Sequence, residues 1–67
     1  NIGDPVAVPA LVKALQSDDT LVREHAAWAL GRIGGEKARQ ALMESEKQET
    51  DDQVVAEIET TLTEVGR

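Results

Sequence analysis

The chain repeats itself, and the repeat narrows the folds open to it. Ile2-Gly3 recurs as Ile33-Gly34, 31 residues on, and Ala7, Ala10 and Leu11 recur as Ala38, Ala41 and Leu42 at the same shift. Further along the shift is 32: Asp19 to Asp51, Val22 to Val54, Leu30 to Leu62, Ile33 to Val65, and Gly34 to Gly66. One residue has therefore been added to the second copy between about Met43 and Asp51. Insertions fall in loops, so a turn is expected there. A period of this length marks stacked units that bury their apolar faces only against their neighbours.

Each copy reads as two helices. Asp4-Pro5 is expected to open the first, with Asp capping the orphan amides and Pro at the first helical position. Pro9 still lies near the first turn, where a missing N–H costs little. Val8, Leu11, Val12 and Leu15 then follow the i, i+3, i+4, i+7 spacing of one helical face. Ser17-Asp18-Asp19-Thr20 makes the turn, and one of Asp18, Asp19 or Thr20 caps the next helix. Val22, Ala26, Ala29, Leu30 and Ile33 form its expected buried stripe, and Gly34-Gly35 ends it. In the second copy a helix is predicted from Glu36 to about Lys47, with Ala38, Ala41, Leu42 and Met43 as its inward candidates. The counterpart of Leu15 is Glu46 or Lys47, so this helix is expected to fray early. Thr50-Asp51-Asp52 caps the last helix, with Val54 or Val55, Ile58, Leu62 and Val65 on one face.

The predicted fold is all-α: an α–α superhelix (solenoid) fragment of two helical hairpins, residues 1–34 and 35–67. Asn1-Ile2-Gly3 matches Arg32-Ile33-Gly34 and reads as the tail of a preceding repeat, so at least one hairpin is expected upstream. The polar second copy reads as a C-terminal cap, with Gly66-Arg67 as the natural end.

Composition removes several function classes. There is no cysteine, hence no disulfide and no thiolate metal site, and one histidine cannot build a zinc site without carboxylates. No apolar run reaches the roughly 20 residues that span a bilayer, and a cytoplasmic parent is the default. Net charge is −6, with −1 on residues 1–34 and −5 on residues 35–67. Such a surface repels phosphate backbones, which argues against autonomous nucleic-acid binding, DNA included, and leaves room only for a few placed Arg or Lys contacts inside a larger basic protein. The acids Glu44, Glu46, Glu49, Asp51 and Asp52 lack the alternating ligands and central Gly of a calcium loop.

The period, the Gly-Asp-Pro opening and the stretch Val22-Arg23-Glu24-His25-Ala26-Ala27-Trp28-Ala29-Leu30-Gly31-Arg32-Ile33-Gly34 resemble the short HEAT-like repeats first described in phycobilin lyases. Within that group, Leu21-Val22-Arg23 followed by His25-Ala26-Ala27-Trp28-Ala29-Leu30-Gly31 is similar to the C-terminal HEAT-like domain of the epoxyqueuosine reductase family. That family are oxidoreductases of queuosine biosynthesis, a tRNA modification, and they use cobalamin and two iron–sulfur clusters held by upstream domains. No cofactor residue carries over to this chain. The resemblance implies a non-catalytic accessory domain that supports tRNA docking or braces the catalytic domains, its partners being the upstream domains of the same chain and tRNA. The alternative is a protein–protein interaction scaffold from another HEAT-like repeat protein.

The candidate recognition surface is Arg23, His25, Trp28 and Arg32. His25 and Trp28, the single His and single Trp, lie three apart and so neighbour each other on a helix. They read either as a stacking platform for a nucleotide or partner side chain or as packing against a preceding hairpin. Arg23 and Arg32 read as phosphate contacts, or as a partner for an acid of the turn and a residue favouring the helix C-terminus. They are nine apart, about half a turn out of phase. Lys37 and Arg39 are a second basic option. Glu24-His25 resembles the iron dyads of deoxyhypusine hydroxylase in reverse order, without a second His, so no metal site is assigned. No catalytic residue is assigned either.

Leu30, one of the expected buried stripe, is predicted to lie between the hairpins. Leu30→Ala should destabilise the chain by roughly 2–4 kcal/mol; an unchanged urea midpoint would refute that placement.

Overall fold

The computed structural model describes residues 7–65. It contains α1 (Val8–Ala14), α2 (Thr20–Ile33), α3 (Gly35–Gln48) and α4 (Asp52–Val65), and no strand among the described residues. α1 and α3 form one layer, α2 and α4 the other, and the most extensive contact is that of α2 on α4. The Asp4-Pro5 opening, the Asn1-Ile2-Gly3 tail and the Gly66-Arg67 end lie outside the described residues. α1 begins after Ala7 with no side-chain cap, and Pro9 sits in its first turn.

The caps follow the repeat. Asp19 is extended, at φ −85° and ψ 117°, and its Oδ1 accepts from the Leu21 N–H at 2.9 Å. Asp51, its counterpart, accepts from the N–H groups of Gln53 and Val54 at 2.9 and 3.1 Å. Each satisfies orphan donors of a helix N-terminus. α2 stops at Gly34, whose φ of 72° and ψ of −168° lie in a region reached essentially by glycine alone. α3 starts at Gly35, whose φ of 89° is also positive, so two consecutive glycines join the hairpins.

The core is aliphatic and small. Leu15, Ala26, Ala27, Leu30, Ala38, Leu42, Val54 and Ile58 form one buried cluster, with Val8, Leu11, Ala14, Ala41 and Leu62 packed partly against it. Leu30, Leu42 and Ile58 are wholly buried. Three expectations need correction. Val22 is exposed: it occupies in α2 the place that Val54 occupies in α4, and Val54 is buried in the stack whereas no described helix lies beyond Val22. Ala27, absent from the expected stripe, is buried in its place. Met43 is exposed, because Ala38 and Leu42 already define the inward face of α3 and Met43 is a further ~100° round.

The expected early fraying of α3 is also overturned: the helix runs to Gln48, and the Glu49 N–H still reaches the Ser45 carbonyl at 2.9 Å. The added residue of the second copy therefore lengthens a helix and shortens the turn behind it. An ion pair at Glu49 does the anchoring that Leu15 does in α1.

α2 and α4 approach closely at Gly31. A Cβ on Gly31 would land on Cγ2 of Thr61, which is itself buried. Gly31→Ala gains about 1 kcal/mol of helix propensity against an overpacking cost of roughly 1–3 kcal/mol. The single change is expected to lower stability. Gly31→Ala combined with Thr61→Ser, which removes the obstructing methyl, should exceed the wild type in a urea melt; a stabilising Gly31→Ala alone would show that the helices have slack.

Candidate recognition surface

The side chains of α2 leave it in distinct directions. Leu21, His25, Trp28 and Arg32 share one edge at i, i+4, i+7 and i+11. That edge faces solvent: Leu21 is 58% exposed and Trp28 46%. His25 Nδ1–H donates to the Leu21 carbonyl at 3.1 Å, which leaves Nε2 outward. The Arg32 guanidinium lies 5.9 Å from the centre of the Trp28 ring, a cation–π distance. Beside the ring, Leu21, Glu24, His25 and Trp28 of α2 together with Glu57 of α4 line a shallow hollow of about 420 Å³.

Three of the four sequence candidates are thus brought together, and the fourth is not. Arg23 points to the other side, toward the turns. Its Nε and Nη2 donate to the two carboxylate oxygens of Glu49 at 2.9 and 3.0 Å, and Nη1 donates to the Ser17 carbonyl at 2.7 Å. Bidentate geometry of this kind is the strong form of the Arg–carboxylate pair. The Glu49 side chain is 3% exposed. Its burial opposes the charge, but hydrogen bonds from Arg23 and from the Asp51 and Thr50 backbones, with the Arg23 charge, outweigh that and hold the carboxyl below the usual range. Arg23 is therefore committed to a structural tie, with three of its five N–H donors spent on Glu49 and Ser17. Lys37 and Arg39 do not join the α2 edge: Arg39 pairs with Glu36 at 3.5 Å, and Lys37 lines a wider cleft.

That cleft, about 770 Å³, opens between the ends of α1 and α3 over Val12, Leu15 and Ala41. Sequence reasoning did not find it, nor Glu57. A signal for Glu57 existed: it stands 32 residues after His25, so the repeat places both on the same face of successive helices. Glu49 had one too, standing two residues before its cap as Ser17 stands before Asp19. Ser17 Oγ accepts from the Asp19 N–H at 3.1 Å, and Glu49 Oε2 from the Asp51 N–H at 3.0 Å. Among the described residues no three of His, Cys, Asp and Glu converge as metal ligands. With no cysteine in the chain, it has no thiolate with which to hold an iron–sulfur cluster.

Residues 1–63 match the family model for HEAT repeats. The chain belongs to the HEAT repeat family. It is also 41% identical over 56 residues to an epoxyqueuosine reductase of Listeria monocytogenes serovar 1/2a (strain ATCC BAA-679 / EGD-e), an alignment covering 82% of this chain and 15% of that protein. The chain thus spans a small part of the length of its curated relative. No solved structure matches. No described helix is long and apolar enough to cross a membrane.

Because Glu49 titrates below the ordinary Glu value of 4.5 when folded, its ion pair stabilises the fold above that pH. The contribution is lost as the pH falls through the lowered value. Glu49→Gln should therefore be less stable than the wild type at about pH 7, and the gap should narrow by about pH 3. Urea midpoints at the two pH values measure it, and a gap independent of pH would show that the pair is not what the substitution removes.

Proposed function

We propose that this chain is the non-catalytic, C-terminal HEAT-like accessory domain of a cytoplasmic epoxyqueuosine-reductase-like protein. On this reading it turns over no substrate. It supports a tRNA-modifying oxidoreductase by recognition, bracing the catalytic domains of the same chain or docking the tRNA. Cobalamin and two iron–sulfur clusters belong to those upstream domains. The observation that carries the reading is the 41% identity to an epoxyqueuosine reductase across the segment that presents Trp28 to solvent. A large aromatic left half-exposed beside Leu21 is a contact surface more readily than a packing residue.

A second reading, a protein–protein scaffold from another HEAT-repeat protein, is favoured by the family match over residues 1–63. That match specifies a fold which hosts many functions.

The upstream gene sequence separates the two readings. A cysteine framework suited to two iron–sulfur clusters is expected before this segment; further repeats alone would overturn the proposal. In the full-length protein, Trp28→Ala should then lower kcat/KM for epoxyqueuosine reduction by about 10-fold, the loss of one hot-spot contact, with cluster and cobalamin content unchanged. Unchanged kinetics would remove the α2 edge from the proposal.

A further inference from the structure

The hollow beside Trp28 joins an apolar wall to two carboxylates that no cation answers among the described residues. The Glu24 carboxylate makes no hydrogen bond and no ion pair among the described residues. Glu57 accepts one hydrogen bond, from Thr61 Oγ1 at 3.2 Å, and is in no ion pair among the described residues. Trp28 and Leu21 supply the apolar surface between them. His25 Nδ1 is spent on the Leu21 carbonyl, so in the neutral ring Nε2 is a further acceptor. The wall thus offers acceptors and a π-face. Arg32 approaches the same ring but does not line the hollow, so it shows what the ring attracts while leaving the hollow free.

We infer that this hollow holds the cationic head of an arginine or lysine from a basic protein segment, with Glu24 and Glu57 on the charge and the aliphatic stem lying on Trp28 and Leu21. Long basic side chains cover apolar surface with their stems and keep the charge at the edge. Aromatic rings attract cations, and carboxylates repel a phosphate from the same place. The net charge of −6 reinforces the choice of a basic partner over a nucleic acid. The inference rests on reading the α2 edge as a recognition surface, and it names the chemistry of the partner.

Trp28 is the single tryptophan of a chain without tyrosine, so its fluorescence reports this site alone. The test titrates the 67-residue chain with a capped hexa-arginine peptide and, separately, with a tRNA. The peptide is expected to produce a saturable change in Trp28 emission. Its dissociation constant should rise by about 2- to 30-fold in Glu24→Gln/Glu57→Gln, the loss of two exposed charge pairs. Gln keeps an acceptor for Thr61, and circular dichroism checks that the variant folds; if it does not, Glu24→Gln alone carries the test. Equal affinity in the variant overturns the inference. A response to tRNA that strengthens in the variant overturns it while leaving α2 as a recognition surface. Silence toward both probes overturns the inference and the recognition reading together.

Discussion

The close approach of α2 to α4 is the constraint on which the rest of the structure depends. The core holds no aromatic ring; its largest wholly buried side chains are aliphatic. Such a core is filled only if the helices come near one another. Gly31 and the buried Ala27 allow that, with Thr61 closing on the glycine from α4. Once this contact fixes the rotation of α2, the fate of its other edges follows. Leu30 turns to the core, Arg23 to the turns, and Leu21, His25, Trp28 and Arg32 are left facing outward.

Arg23 shows how the second copy could lose apolar character and keep its shape. One guanidinium binds the Ser17 carbonyl of the first turn and the Glu49 carboxylate of the second. Glu49 in turn accepts from the Asp51 N–H, beside the cap of α4. A chain of charge-assisted hydrogen bonds thus links both turns and a helix start. The same commitment explains why Arg23 is not part of the outward surface, although in the sequence it reads as an equal of Arg32.

The helices, the caps of α2 and α4, the stop of α2 and most of the core were legible because they rest on local rules: the 3.6-residue period, Asp before a helix, Gly after it. The errors come where a partner outside the local segment decides. Val22 has the periodicity of a core residue and lacks a described neighbour to bury it. The persistence of α3 hangs on an arginine 26 residues before Glu49, which no local pattern announces. The site was half legible: residue type singled out His25 and Trp28, whereas Glu57 could be found only by projecting one repeat onto the next.

The Gly34-Gly35 joint has a mechanical consequence. Flexible linkers absorb displacement because several residues share the torsional change. Here the assigned ranges of two 14-residue helices are separated by Gly34 alone, and Gly34 and Gly35 both hold positive φ, which side chains larger than hydrogen rarely adopt. Any change in the angle between the two hairpins is therefore concentrated at these two residues, in the manner of a hinge pin.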